Sequence, residues 1–171
     1  MQGILNPEKV VNLGYIHQVR AEDIQPNSID LRVLDIYEIK GNLVLFADKN
    51  NRRELPEYHL IQPFPYGDGF KMYKLEPGKR YQVEFEALLD LPQDVCAITL
   101  VRSTMAKSGC TGENGLFDSG YKGACGMMIA VQAESYIEEY APIAQMVFFG
   151  AESSKLYNGF YQGTNSPLEW L

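Results

Sequence analysis

The sequence contains few of the residues that hold small proteins together through disulfides or metals. It has three cysteines, Cys96, Cys110 and Cys125, an odd number without a Cys-x-x-Cys pair. This pattern indicates neither a disulfide framework nor a zinc knuckle. The two histidines, His17 and His59, each lack a second ligand at zinc-binding spacing. We therefore expect reduced thiols and no histidine-bound metal.

Positive charge and long apolar runs are also scarce. Lys and Arg total 15 against 22 Asp and Glu, for a net charge of −7. This balance argues against a protein that coats a nucleic-acid backbone, although a small anion could bind in a local basic pocket. No apolar run approaches the roughly 18 to 20 residues of a membrane span, and Met1–Pro7 does not resemble a secretory signal. We expect a soluble, cytoplasmic protein that binds neither membrane nor nucleic acid.

The remaining composition is typical of a globular protein, with 171 residues of which 46% are hydrophobic. One domain spanning residues 1–171 is expected, with a lead-in over about 1–24 and a C-terminal tail over about 152–171. Asn6 and Pro7 predict a short helix from Asn6 to Leu13, since they supply an N-cap and a first-turn proline. Alternation of apolar and polar residues predicts a strand over Ile29–Ile39.

Short apolar runs separated by turn residues follow this strand. They are Asn42–Ala47, Tyr58–Gln62, Phe70–Leu75, Tyr81–Ala87, Val95–Val101, Gly126–Glu134 and Ile143–Phe149. Pro63–Gly69 and Glu76–Lys79 are predicted turns, Asp48–Glu54 a solvated loop, and Ser103–Ser108 a short helix stopped by Gly109. The pattern predicts an all-β fold, a distorted jelly roll or β-barrel with one or two short helices.

Three features could carry chemistry. Arg102 and Ser103 open the short helix after a strand, a geometry that binds phosphate, although an Arg paired with a surface carboxylate and a Ser N-cap, taken alone, explain them somewhat better. Asp118 lies in the glycine-rich segment Gly115–Gly123, where a carboxylate can face a ligand or simply complete a turn. Tyr121 could stack on a sugar or base, or pack in the core. Taken alone, each feature leaves both interpretations open.

Together, five segments in order resemble the motifs of the dUTPase/dCTP deaminase family. They are Gln25–Val33; Leu75–Lys79 with Glu86, Leu91–Pro92, Asp94 and Val101–Gly109; Gly115–Gly123; Ile143–Phe148; and Tyr157–Gly163. The resemblance covers residues 25–163. It implies a dUTPase-like β-barrel that forms a homotrimer with active sites at the subunit interfaces, a closed symmetry that is common among enzymes.

The resemblance also implies roles for individual residues. Asp118 would be the catalytic base, and Tyr121 would pack under the deoxyribose. The other substrate-binding residues implied are the phosphate ligands Arg102, Ser103, Thr104, Lys107 and Gln145 and the tail residues Tyr157, Phe160 and Gln162. The tail would close over the nucleotide and exclude solvent.

One position decides between the two reactions of the family. Deaminases have a proton-shuttling glutamate ten residues after the aspartate, where this chain has Met128, and a thioether cannot transfer a proton. Glu134 is six residues further on, about 20 Å at strand rise. The expected reaction is therefore hydrolysis of dUTP to dUMP and pyrophosphate, in which Asp118 activates water for attack on the α-phosphorus. Mg²⁺ would be bound through the triphosphate, with no direct protein ligand.

Two departures from the family pattern leave alternatives open. Lys107 stands where the deaminase branch usually has Arg, which keeps the charge and loses a bidentate fork. Phe160 replaces the usual tail lysine and could stack on the base or pack against a neighbouring subunit. The alternatives are a dCTP deaminase or bifunctional enzyme, a non-catalytic nucleotide-binding regulatory trimer, and a hydrolase of another deoxynucleotide.

Overall fold

The computed structural model describes residues 3–47, 53–113 and 115–165. Both predicted helices are confirmed. Helix α1 spans Pro7–Asn12, and the Asn6 side chain caps it by accepting from the Lys9 amide at 3.0 Å. Helix α2 spans Ser103–Lys107, and Gly109 follows it with a φ of +80°, a backbone conformation that glycine adopts readily.

Strands make up most of the described structure, which confirms the all-β prediction. In chain order they are β1 (Ile16–His17), β2 (Ile29–Lys40), β3 (Val44–Leu45), β4 (Arg53–Glu54), β5 (Glu57–Leu60), β6 (Phe64–Tyr66), β7 (Phe70–Leu75), β8 (Arg80–Asp90), β9 (Val95–Val101), β10 (Cys110–Glu113), β11 (Lys122–Val131), β12 (Ser135–Glu138) and β13 (Pro142–Gly150). A short 3₁₀ turn, Ala21–Asp23, precedes β2.

The main sheet runs in the order β10-β11-β8-β2-β13-β9, with β1 paired to β8 and β5 paired to β2. Every strand pair in it is antiparallel. Alternation places one face of each strand inside: along β8, Tyr81, Val83 and Phe85 are almost fully buried, whereas Gln82 lies on the opposite face. The sheet therefore packs one face of its strands around an apolar core.

Several predicted boundaries were wrong. The run Gly126–Glu134 is a strand over Lys122–Val131, because pairing with β8 begins four residues earlier. Pro63–Gly69 is not all turn, since Phe64–Tyr66 pairs with β7 despite its central proline, as an edge strand permits. Of the predicted loop Asp48–Glu54, residues 48–52 lie outside the described residues, and Arg53–Glu54 pairs with Val44–Leu45.

Within the described residues, no helix is long and apolar enough to cross a membrane.

Candidate active site

Asp118 lies on a loop fastened at both ends to the sheet. Phe117, one residue before it, exchanges two backbone hydrogen bonds with Ala97 of β9, at 2.9 and 3.0 Å. The Tyr121 amide then donates to the Asp118 carbonyl at 3.1 Å, and Gly120 turns the chain with a φ of +83°. The Asp118 side chain is exposed and makes no hydrogen bond or ion pair with any described residue. The backbone of Asp118 is therefore held in position, and its carboxylate is available to water or a ligand.

This carboxylate borders a cavity of about 290 Å³ between the loop, the sheet and the tail. The cavity is lined by Gln82, Glu113, Gly115, Leu116, Phe117, Asp118, Tyr121, Ala124, Gly126, Met127, Met128, Tyr157 and Tyr161. Three of the predicted site residues, Asp118, Tyr121 and Tyr157, are thus brought together. Met128 is also present, so the position of the deaminase glutamate faces this cavity with a side chain that cannot transfer a proton.

Tyr121 forms the anchored wall of the cavity. It is 6% exposed, and its hydroxyl donates to the Ala124 carbonyl at 2.5 Å. Its ring packs against those of Phe117 and Tyr157, with centroids 5.5 and 5.4 Å away. Burial raises the pKa of Tyr121 to about 12, so the phenol is neutral at physiological pH. A fixed, neutral ring beside the carboxylate is a suitable surface for a sugar to pack against.

The tail docks on its own chain beside this loop. The Tyr157 amide donates to the Ser119 carbonyl at 2.8 Å, and the Ala124 amide donates to the Thr164 carbonyl at 2.8 Å. Between them, the Gln162 side chain accepts from the Lys122 amide at 3.0 Å and donates to the Gly120 carbonyl at 2.9 Å. The tail therefore forms one wall of the cavity. Both ends of the Gln162 amide are occupied by backbone groups, and its predicted contact with substrate stays a prediction.

Phe160 lies apart from the cavity lining. Its ring is about half exposed and sits beneath the Arg53 guanidinium, whose central carbon is 3.9 Å from the ring centroid. This cation–π contact joins the tail to strand β4. The predicted stacking of Phe160 on a base stays a prediction.

The predicted phosphate ligands form a second cluster elsewhere on the barrel. Arg102 donates to the Pro142 carbonyl at 3.0 Å, and another of its guanidinium nitrogens lies 3.4 Å from the Asp30 carboxylate. Gln145 lies opposite Asp30 in the β13–β2 pairing and accepts from the Ser28 hydroxyl at 3.3 Å. Burial raises the pKa of Asp30, and the positive charge of Arg102 opposes that rise.

The helix that follows Arg102 carries the rest of this cluster. Ser103, Thr104 and Lys107 are exposed on α2, whose first backbone N–H groups have no partner within the helix. The phosphate motif therefore presents hydroxyls, amides and a cation to solvent. Among the described residues, no member of this second cluster lines the Asp118 cavity. The predicted site residues of one chain thus fall into two separate groups, one around the Asp118 cavity and one around Arg102 and the start of α2.

Sequence reasoning missed two polar residues of the cavity, Gln82 and Glu113. Both lie directly opposite Met128, one on β8 and the other on β10. Strand register brings them there, and single-sequence patterns do not specify which strands pair. Glu134, the nearest acid along the chain, instead pairs with Lys74 at 2.7 Å and does not line the cavity.

Comparison with known proteins agrees with this architecture. Residues 9–151 match the model of a family described as dCTP deaminase-like. The deoxyuridine 5′-triphosphate nucleotidohydrolase of Methanocaldococcus jannaschii is 32% identical over 151 residues, covering 88% of this chain and 94% of that protein. A probable deoxyuridine 5′-triphosphate nucleotidohydrolase of Methanosarcina barkeri is 31% identical over 147 residues, or 84% of this chain and 82% of that protein.

The fold is also similar to that of a solved structure, the 2′-deoxycytidine 5′-triphosphate deaminase of Agrobacterium tumefaciens. The TM-score is 0.68 at 19% sequence identity, over 89% of this chain and 48% of that chain. At this identity the likeness concerns the fold. It supports the barrel topology described above.

Proposed function

Because the chain belongs to the dCTP deaminase-like family, we propose that it is a dUTP diphosphatase whose catalytic base is Asp118. The observation behind the proposal is the Asp118 carboxylate, which has no partner among the described residues and borders a cavity where Met128 replaces the deaminase acid. Relatives at about 30% identity that are named dUTP nucleotidohydrolases support the same substrate. The enzyme hydrolyses dUTP to dUMP and pyrophosphate.

Asp118 orients a water molecule and removes its proton as the water attacks the α-phosphorus. Pyrophosphate then leaves with its electron pair, and the proton passes to the solvent or the leaving group. The exposed position of Asp118 suits this role, because water can reach its carboxylate oxygens. The neutral ring of Tyr121 supports the deoxyribose, and Tyr157 helps to cover it.

The triphosphate of the substrate would need the cationic group around Arg102, which does not line the Asp118 cavity of the same chain. This separation supports a homotrimer with active sites at the subunit interfaces. One subunit would bind the triphosphate beside Asp118 of a neighbouring subunit. The residues it would use are Arg102, Ser103, Thr104, Lys107 and Gln145. Closed threefold assembly brings two different surfaces of the same chain together. The tail, with Tyr157, Phe160 and Gln162, would complete the closure.

The proposed reaction uses Mg²⁺ as its cofactor. Within the described residues, no group of three or more His, Cys, Asp or Glu side chains is placed to hold a metal ion. The residues present fit an ion bound mainly through the triphosphate oxygens, the mode that Mg²⁺ commonly adopts with nucleotides. When bound, the ion offsets negative charge on the phosphates.

We also propose that the protein is cytoplasmic and that residues 1–171 form one functional domain. All three cysteines are free thiols, as expected of a protein kept in a reducing compartment.

One observation favours deamination of dCTP as a second candidate activity. The Glu113 carboxylate lies opposite Met128 in the β10–β11 pairing and lines the same cavity. A carboxylate there could shuttle protons from a neighbouring strand in place of the missing acid. Ammonia released from dCTP, and lost on the substitution Glu113→Gln, would establish this activity.

The proposed function is tested by pyrophosphate release from dUTP, dCTP, dTTP, dATP and dGTP with Mg²⁺. We expect dUTP to be hydrolysed fastest. Asp118→Asn should lower the rate by about 100- to 10,000-fold, the usual contribution of a general base. Asp68→Asn is the matched control, because Asp68 is exposed in the turn between β6 and β7. Tight dUTP binding without turnover would instead indicate a regulatory nucleotide-binding protein.

A further inference from the structure

Three side chains lie in a row across the sheet at one end of the Asp118 cavity. Met128 of β11 is directly opposite Gln82 of β8 and directly opposite Glu113 of β10. Residues opposite one another on antiparallel strands point to the same face, with Cβ atoms about 4.5 to 5.5 Å apart. All three line the cavity. The row therefore forms a surface that a bound ligand would meet.

Gln82 is the member of this row that offers both a donor and an acceptor. Its Nε2 donates to the Val83 carbonyl at 3.3 Å, its one hydrogen bond to the described residues. Because only the nitrogen of a side-chain amide can donate to a carbonyl, this contact orients the amide with Nε2 towards Val83. Oε1 and the second N–H are left without partners among the described residues. Gln82 is half-buried, so hydrogen bonds made there are partly shielded from water.

A pyrimidine base has an edge that matches such an amide. Uracil presents the N3–H donor beside the O4 acceptor, and cytosine presents the reverse, an N3 acceptor beside an N4 amino donor. An amide held in one orientation pairs well with one of these edges and poorly with the other. Met128 cannot make such a distinction, and the exposed Glu113 carboxylate only accepts.

The floor beside this row suits a flat ring. Ala124 and Gly126 line the cavity between the Asp118 loop and Met128, and neither has a side chain beyond Cβ. A base lying over them would direct its polar edge towards Gln82 while the sugar remained beside Tyr121. The cavity is lined by Asp118 and by Gln82, so one nucleotide could contact both side chains.

We propose that Gln82 determines the base specificity of the site by hydrogen bonding the N3–H and O4 edge of uracil. The inference rests on the proposed function and names the residue that selects its substrate. Gln82 acts on binding and not on the chemical step, which belongs to Asp118.

The test compares kcat/KM for dUTP and dCTP in the wild type and in Gln82→Met, which keeps the length of the side chain and removes both hydrogen-bonding groups. Loss of two hydrogen bonds should lower the dUTP value by about 10- to 100-fold, while the dCTP value changes by less than about threefold. The control is Gln132→Met, because Gln132 is exposed just beyond β11 and does not line the cavity. It should leave the ratio unchanged.

An unchanged dUTP to dCTP ratio in Gln82→Met would overturn the inference. If that variant fails to fold by circular dichroism, Gln82→Glu makes the same test, since the carboxylate keeps the size of the side chain and lacks a donor. If the wild type does not hydrolyse dUTP, the proposed function fails separately. Calorimetric binding of non-hydrolysable dUTP and dCTP analogues to wild type and Gln82→Met then decides the role of Gln82.

Discussion

The Arg102 guanidinium lies 3.4 Å from the carboxylate of Asp30, which is almost completely buried. Asp30 is also 3.3 Å from the Gln25 amide nitrogen and faces Gln145 across the strand pair. Arg102 is thus oriented by a buried acid and still keeps part of its side chain exposed. The guanidinium proposed to bind phosphate is therefore already oriented by contacts within its own chain.

The ionisation of Asp30 should make stability depend on pH. Burial raises its pKa in the folded state, so the folded protein binds this proton more tightly than the unfolded chain does. The associated stability is present below the unfolded pKa near 4 and is lost as pH rises through the folded pKa. In urea denaturation from pH 4 upward, the free energy of unfolding of the wild type should fall relative to that of Asp30→Asn. A difference between the two proteins that stays constant with pH would contradict this.

Mixing subunits should restore activity if the two groups of site residues meet only between chains. Asp118→Asn and Arg102→Gln chains are each expected to be inactive as separate trimers. In trimers assembled at random from an equal mixture, a site is intact when one chain supplies an unsubstituted Asp118 and its neighbour an unsubstituted Arg102. Roughly a quarter of all sites meet both conditions. Unfolding, mixing and refolding should therefore recover about a quarter of wild-type activity. No recovery in mixtures that light scattering shows to be trimeric would contradict the interfacial site.

Gly123 should be intolerant of substitution because the tail packs against it. An added Cβ would lie 2.7 Å from the Thr164 carbonyl oxygen, and the φ of Gly123 is +139°. Gly123→Ala should therefore release the tail and increase hydrogen exchange over residues 157–164. Gly67→Ala is the control, since Gly67 also has a positive φ and open space around it. Equal exchange in the two variants would show that the close approach does not hold the tail.

The Gln162 side chain should contribute to the same docking. Gln162→Ala removes two hydrogen bonds to the backbone of Gly120 and Lys122, a loss of about 1 to 3 kcal/mol in local stability. Faster proteolysis of the tail is expected, with the core of the barrel unaffected. Gln132→Ala supplies the comparison, and a tail that stays equally protected would argue that Tyr157 and Thr164 suffice.

Much of the fold could be predicted from local pattern. Asn6 and Pro7 specified helix α1, and alternation specified β2, because capping and side-chain period are local properties. The boundaries of β11 and the strand Phe64–Tyr66 were missed, since both depend on partners distant in the chain.

The site was predictable only in part, for the same reason. Asp118 and Arg102 were identified through ordered motifs. In the structure Asp118 borders the cavity and Arg102 lies beside Asp30. Gln82 and Glu113 carry no motif. They join the cavity through their register with Met128, which tertiary pairing alone determines.

In the proposed reaction, Asp118 activates water for attack on the α-phosphorus of dUTP. Hydrolysis in ¹⁸O-labelled water, with mass spectrometry of both products, tests it most directly. We expect the heavy oxygen in dUMP and none in pyrophosphate, with the labelled product reduced about 100- to 10,000-fold in Asp118→Asn and unchanged in Asp68→Asn. Label in pyrophosphate, or undiminished labelling of dUMP in Asp118→Asn, would contradict the mechanism.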